Sequence, residues 1–311
     1  MKFSGIYMRT RTFRDNFYRF RRDIRFAIYK NKINSIHLNL GSFRLNADYF
    51  ITEEYGCNLS AELMMHEKTS TLESRHFFSE DQTNIVIYIR LNAVLKYSEL
   101  LESISQDFRG VFVIDPMDNA LEHRPSWIGP SARWASPHIP NPLQSNGLCI
   151  PLGVEELSLM RNGLLRNFNF VDKKSKLVLV GPFAATHQSR SSFENWEGNA
   201  LINVFKDRLE PNNYANIASP YRFVVCPRGN GIDTHRFWET LYRGSLPIVE
   251  ISEWAIYFQS HGIPMVLVNS FDDILTWSER HLLNIWQECH KNPVEIESLW
   301  PKYWINLIQD L

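Results

Sequence analysis

A short glycine-containing loop and the helix predicted after it hold residue types well suited to binding a phosphate group. Arg228, Asn230 and Gly231 lie in the loop, and His235 and Arg236 lie in the first turn of the helix. A helix amino terminus presents unpaired backbone N–H groups and the positive end of the helix dipole, which together favour an anion. The pattern therefore predicts an anion site at this loop, with the two arginines as side-chain donors.

Two acidic residues belong to the same candidate site. Asp233 precedes the predicted helix, and either Asp233 or Thr234 is expected to cap it. Glu239 follows Arg236 by three positions and shares its helix face, where it could accept hydrogen bonds from a ribose. The alternative is that Glu239 forms ordinary ion pairs with Arg236 and Arg243 on a solvated helix. In that case Asp233 is only a cap.

A second loop is expected to face the same crevice. The strand KLVLV is followed by GPFAATHQSR, which contains Thr186, His187 and Arg190. Arg190 could neutralise phosphates bound at the first loop, or it could be an ordinary surface arginine. The glycines of the first loop, Gly229 and Gly231, are expected to permit positive φ and a close approach of a ligand to the backbone.

Other phosphate-binding patterns are absent from the sequence. There is no GxxxxGK[ST], no GxGxxG after a strand in the first half, and no Asp-x-Asp that could hold a metal against a diphosphate. The sequence therefore predicts neither a P-loop nor a standard dinucleotide fold. Arginines and a helix dipole would have to do the work of a metal, and no metal is expected.

The elements that must position these residues alternate between strands and helices. Apolar runs near Ala47, Asn84 and Gly110, and the runs KLVLV, RFVVC, LPIVE and MVLVN, predict strands of parallel sheets. A helix is predicted near Asn199 to Leu209, one ending at Gly244, and further helices over 275–311 with breaks at Pro293 and Pro301. The proline-rich segment Arg124 to Pro151 is expected to interrupt regular structure.

Length and composition suggest how the chain is organised. With 311 residues, of which 44% are hydrophobic, the chain is expected to form two domains, 1–172 and 173–311. The formal charge is −1, and so no nucleic-acid partner is expected. Four scattered cysteines suggest reduced thiols, and a charged start without a long apolar run suggests a cytoplasmic protein, soluble or peripheral. The basic segment Arg9 to Lys32 is interpreted as a solvated helix face, with contact to an anionic membrane or an acidic partner as alternatives.

The segment CPRGNGIDTHRFWETLYRGSLPIV resembles the carboxyl-terminal signature of exostosin-like glycosyltransferases, the family 47 type and related xylosyltransferases. The resemblance covers about thirty residues. It implies an α/β fold of the GT-B type, with two Rossmann-like domains facing across a cleft. It also implies metal-independent, inverting transfer of a sugar, with xylose expected, from a UDP-sugar to a glycan. Transferred by position, Arg228 and Asn230 belong to the donor loop, His235 and Arg236 contact the diphosphate, and Glu239 contacts the nucleotide or sugar.

Inverting transfer needs a base that accepts the proton of the acceptor hydroxyl. The candidates are carboxylates that follow strands of the first domain, Asp115 with Asp118, and Glu54 with Glu53. We favour Asp115 over Glu54, although each could simply cap a helix or turn a loop. His66 and His123 are further candidates.

The alternative function is a non-catalytic module that binds a nucleotide or glycan on a degenerate transferase fold. The sequence does not determine the oligomeric state.

Overall fold

A computed structural model describes residues 43, 47, 49–51, 85–91, 94, 101–102, 105–116, 119–155, 174–191, 193, 196–207, 211–290 and 296–311. Within these residues the protein is mixed α/β and contains two five-stranded sheets in which every described pairing is parallel. This arrangement is consistent with Rossmann-like domains. The predicted boundary near Asp172, and with it the division into 1–172 and 173–311, lies outside the described residues and stays a prediction.

The first sheet has its strands in chain order. They are β1 (Tyr49–Ile51), β2 (Val86–Arg90), β3 (Val111–Asp115), β4 (Arg133–Ser136) and β5 (Leu148–Cys149). The central pair is in register over its whole length, with Ile87 opposite Phe112. Both strands are buried almost throughout, which explains why their sequences are continuous apolar runs instead of alternating ones.

The strands of the second sheet have the spatial order β10-β9-β8-β6-β7, so the direction in which successive strands are added reverses once. Its strands are β6 (Lys176–Val180), β7 (Ile202–Val204), β8 (Tyr221–Val225), β9 (Leu246–Glu250) and β10 (Val266–Val268). From β6 the chain runs outward to β7, then returns to the other side of β6 as β8. The reversal therefore lies between β6 and β8, which pair with Val178 opposite Phe223.

Five α-helices belong to the described part of the second half, together with three short 3₁₀ turns. The helices are α1 (Pro211–Ala218), α2 (His235–Tyr242), α3 (Glu253–Ser260), α4 (Glu279–His290) and α5 (Pro301–Gln309). The turns are Gln188–Arg190, Phe271–Thr276 and Glu297–Leu299. Helix α2 begins at His235 as predicted, and Gly244 follows its end with a φ of 68°.

One prediction of secondary structure is wrong. The helix expected near Asn199 to Leu209 is absent from the described residues there, and Ile202–Val204 instead forms β7 against β6. Ile202 and Val204 are β-branched and favour the pleated sheet, whereas Pro211 has a φ suited to the first turn of α1. The proline-rich segment, which was expected to interrupt regular structure, contains the two short strands β4 and β5, which pair with neighbouring strands between the prolines.

The core is continuous from the first sheet into the second half. One buried cluster contains residues of β2 and β3 together with Trp238 of α2, Phe258 of α3 and Trp304 of α5. Large apolar side chains from both halves thus exclude water jointly, which favours a fixed arrangement of the elements they belong to.

A buried lysine connects the ends of two helices. Lys174 is 7% exposed, and its ammonium donates to the carbonyl oxygens of Ser219 and Arg243, both at 2.6 Å, and to Oγ of Ser245 at 3.1 Å. Ser219 follows α1 and Arg243 follows the last residue of α2. Burial and the charge of Arg243 lower the pKa of Lys174 to about 8.

Candidate functional site

The reversal of strand order between β6 and β8 defines a crevice in the second sheet. In parallel sheets, ligands bind outside the carboxyl ends of the strands at the point where the order reverses. The loop 181–190 follows β6, and the loop 226–234 follows β8 and leads into α2. These two loops contain Arg190 and Arg228, and the first turn of α2 contains Arg236.

Arg190 connects the two loops through hydrogen bonds. Its Nε donates to the carbonyl oxygen of Arg228 at 2.8 Å, and its Nη atoms donate to Ala184 at 3.3 Å and Pro227 at 3.4 Å. Burial, followed by the charge of Arg236, lowers the pKa of Arg190 below its usual value. Two guanidinium groups are therefore near enough to repel each other, and an anion placed beside them would relieve that repulsion.

The other arginines are fixed to different degrees. Arg228 is exposed, and its Nη2 donates to the carbonyl oxygen of Asn230 at 3.4 Å. Arg236 is half-buried, and its Nη2 donates to the carbonyl oxygen of Pro182 at 2.7 Å. The structure thus brings together Arg190, Arg228 and Arg236, which the sequence had assigned to one site from three separate positions.

His187 belongs to the same crevice. Its Nδ1 accepts the backbone N–H of Ser189 at 3.2 Å, so the neutral ring carries its proton on Nε2. Burial, Arg228 and Arg190 lower the pKa of His187, and Glu250 acts in the opposite direction. At neutral pH His187 is therefore a neutral hydrogen-bond donor through Nε2.

Positive φ was expected for the loop glycines, Gly229 and Gly231, and neither adopts it. Each instead lies so close to a side chain that a Cβ would not fit. An ideal Cβ on Gly229 would lie 2.9 Å from Nη2 of Arg190, and one on Gly231 would lie 2.3 Å from Cε1 of His138. His138 follows β4 and is 1% exposed. The space beside Gly231 is thus filled by His138, and contact between Gly231 and a donor stays a prediction.

Asp233 and His235 also face the first half. Asp233 is 2% exposed, its Oδ2 accepts the backbone N–H of Leu152 at 2.8 Å, and its Oδ1 accepts Nε1 of Trp238 at 2.7 Å. His235 donates through Nδ1 to the carbonyl oxygen of Gly153 at 2.7 Å. Thr234 is the residue at the N-cap, without a side-chain capping bond. Donor binding by Asp233 and His235 stays a prediction, and both side chains already join the two halves.

Glu239 lies deeper than a solvated helix face would place it. It is 9% exposed, and its Oε2 lies 3.5 Å from Nη1 of Arg243. This ion pair is the alternative that the sequence left open, but it is buried. Phe237 and Trp238, on the same helix, are core residues. Contact between Glu239 and a nucleotide or sugar stays a prediction.

The candidate bases lie in the first half. Asp115 is the last residue of β3 and 6% exposed, and its Oδ2 accepts the hydroxyl of Tyr88 at 3.0 Å and lies 3.4 Å from Nε of Arg90. Its carboxylate is therefore held in position at the carboxyl end of a strand. Glu54 and its neighbour Glu53, and likewise Asp118 and His66, lie outside the described residues. The basic segment Arg9 to Lys32 also lies outside the described residues.

Three residues at the site were missed by the sequence reasoning. His138 contacts the loop after β8 from the other sheet, and Phe183 and Tyr214 lie against the guanidinium of Arg236. His138 lies in the proline-rich segment, which was expected to interrupt regular structure. Phe183 and Tyr214 carry no signal of their own in the sequence, since their importance comes from contacts between elements that are distant in the chain.

Among the described residues, no group of three or more His, Cys, Asp or Glu side chains could hold a metal ion. The helices of the same part of the chain include none long and apolar enough to cross a membrane. Comparison with known proteins finds no matching family model and no matching curated sequence.

Proposed function

We propose that this chain is a metal-independent glycosyltransferase with the GT-B arrangement, which transfers a sugar with inversion from a UDP-sugar to a hydroxyl group of a glycan acceptor. The observation that carries the proposal is the concentration of Arg190, Arg228 and Arg236 at the crevice between β6 and β8. Three cations at the carboxyl edge of a parallel sheet, beside the amino terminus of α2, suit a diphosphate. The resemblance of residues 226–249 to exostosin-like enzymes supports the same function and favours xylose as the sugar.

Contacts between the two halves support the GT-B arrangement. Leu152 and Gly153 follow β5, and they bond to Asp233 and His235, which follow β8. The carboxyl edges of both sheets therefore meet at these loops. A donor held by the second sheet would lie beside residues of the first, where an acceptor would bind.

The proposed reaction assigns a role to each group. The acceptor oxygen attacks the anomeric carbon while the bond from that carbon to the UDP oxygen breaks, and Asp115 takes the proton of the acceptor hydroxyl. Negative charge develops on the departing diphosphate. Arg190, Arg228 and Arg236 stabilise it, together with the Nε2 proton of His187 and the dipole of α2.

The first experiment tests the donor site. UDP and UDP-sugars should raise the melting temperature of the purified chain in the presence of EDTA. Arg228→Ala is the cleanest variant, because Arg228 is exposed and its removal spares the fold, and Arg236→Ala is the second. Arg280→Ala, an exposed arginine of α4, is the matched control and should keep the full shift. If both site variants keep it as well, the donor assignment is wrong.

The second experiment separates an enzyme from a binding module. Slow hydrolysis is measured against a panel of nucleotide sugars, with UDP-xylose expected to be the preferred donor. Asp115→Asn should abolish transfer to an added acceptor while the UDP-induced stabilisation persists. A chain that binds UDP and hydrolyses no donor would be the non-catalytic module.

A further inference from the structure

The guanidinium of Arg236 lies between two aromatic rings. Its Cζ is 4.8 Å from the ring centroid of Phe183, in the loop after β6, and 4.7 Å from that of Tyr214, in the first turn of α1. With Nη2 bonded to Pro182, the plane and position of the group are set from three sides. Arg236 is therefore organised before any ligand arrives.

Two polar atoms of this assembly lack hydrogen bonds. Nη1 of Arg236 and the hydroxyl of Tyr214 are buried and have no hydrogen-bond partner within the part of the chain that the structure describes. Tyr214 is only 8% exposed. Buried polar atoms of native proteins are nearly always hydrogen-bonded. Two such atoms without a described partner, on side chains that contact each other, therefore indicate a missing acceptor.

Charge decides which kind of acceptor fits. Burial raises the pKa of Tyr214 although Arg236 and Arg243 lower it, and Cys226 and Glu239 add to the rise. The hydroxyl thus keeps its proton at neutral pH and can donate. Arg243 also lies over the ring, at 5.5 Å from its centroid. Arg243 is paired with Glu239, so the charge of Arg236 and the hydroxyl donor of Tyr214 are what favour an anionic oxygen over a neutral group.

The fold places both open atoms at the same end of the sheet. Tyr214 is in the first turn of α1 and Arg236 in the first turn of α2, and these helices lead into and out of β8. The amino ends of helices that connect parallel strands lie at the carboxyl edge of the sheet, where the crevice between β6 and β8 opens. Tyr214 and Arg236 therefore lie at the same edge of the sheet as Arg190, whose pKa is lowered by burial and by the charge of Arg236.

We propose that Tyr214 completes the anion site: its ring fixes the guanidinium of Arg236, and its hydroxyl donates, beside Nη1 of Arg236, to an oxygen of a diphosphate. The inference rests on the proposed function, from which the diphosphate of UDP is taken. It adds a residue of α1 that neither the loop after β8 nor the helix α2 supplies.

The test measures dissociation constants by calorimetry for two probes, UDP and inorganic pyrophosphate, with EDTA present. Tyr214→Phe keeps the ring and removes the hydroxyl, and both probes should bind about tenfold more weakly. Tyr214→Leu removes the ring as well and should weaken both by about a further tenfold. Tyr257→Phe is the matched control, because it removes another buried hydroxyl without a described partner, on α3, and it should leave both constants unchanged.

The outcomes separate this inference from the proposed function. If wild type binds UDP and both Tyr214 variants bind as tightly, the inference is overturned and the proposed function stands. If pyrophosphate binding depends on Tyr214 but UDP binds no better than pyrophosphate, the inference holds and the nucleotide assignment fails. If wild type binds neither probe, both fail. A purely structural role would lower the melting temperature of Tyr214→Phe without changing either constant, and that too overturns the inference.

Discussion

The side-chain carboxyl group of Asp233 accepts the backbone N–H of Leu152 at 2.8 Å and so joins the loop after β8 to the segment after β5. Its other oxygen accepts Nε1 of Trp238 at 2.7 Å. A carboxylate at the edge of a cationic crevice would be expected to repel a diphosphate. Here both oxygens are bonded in the interior, Oδ2 to Leu152 of the first half and Oδ1 to Trp238 of the second.

This buried carboxyl should make stability depend on pH. Burial raises the pKa of Asp233 from 3.8 to about 8, although hydrogen bonds from Leu152, Trp238 and Thr234 lower it. The folded state then holds the proton more tightly than the unfolded state, so this contribution to stability is full below the unfolded pKa and is lost as pH rises through the folded pKa. The melting temperature of wild type should fall more than that of Asp233→Asn between about pH 5 and about pH 8. A difference between the two proteins that does not change with pH would contradict this expectation.

The contact between Gly231 and His138 should be measurable as an interaction energy. An added methyl group at Gly231 would lie 2.3 Å from the His138 ring, so Gly231→Ala should destabilise the fold by about 1–3 kcal/mol. Combining it with His138→Ala should recover about 1 kcal/mol of that loss, because the clash disappears. Urea unfolding of the four proteins of the cycle provides the measurement. Strictly additive effects would show that the two residues do not press on each other in solution.

Ligand binding should change the titration of His187. In the free protein, burial, Arg228 and Arg190 hold its pKa below the usual value. The negative charge of bound UDP should raise that pKa, which NMR of the ring can follow. Arg228→Ala should also raise it in the free protein, since one of the three causes is removed. An unchanged titration with saturating UDP would place the ligand elsewhere.

Arg190 should be needed for its shape as well as its charge. It donates to three carbonyl oxygens of the two crevice loops, and a lysine ammonium on a flexible stem cannot reproduce that fixed fork. Arg190→Lys should therefore lose most of the UDP-induced rise in melting temperature, nearly as much as Arg190→Ala. Arg280→Lys should lose none. If Arg190→Lys behaves as wild type, charge alone suffices at this position.

The sequence was informative where local rules decide the outcome. The buried strands were found from continuous apolar runs, and α2 from the loop before it and Gly244 after it. β7 was mistaken for a helix because three residues are too few to show a period, and β4 and β5 were hidden by prolines that lie outside their pairing registers.

The cations of the site could be predicted from the sequence, but the residues that surround them could not. Arg190, Arg228 and Arg236 follow or begin elements whose ends meet in any parallel sheet with this order of strands. The position of Arg236 between the rings of Phe183 and Tyr214, and the contact of His138 with Gly231, depend on how separate elements pack. Sequence spacing carries no information about such contacts. Orientation is equally invisible: nothing in the sequence tells that Asp233 points away from its neighbouring arginines.

The ammonium of Lys174 has a consequence for local unfolding. It is shared between the carboxyl ends of α1 and α2, so opening either helix alone would strand a buried charge with too few acceptors. The two helices should therefore open as one cooperative unit, and their amide hydrogens should exchange with similar protection. Since Tyr214 lies on α1 and Arg236 on α2, the contact of the guanidinium with the tyrosine ring would form, and be lost, in a single event.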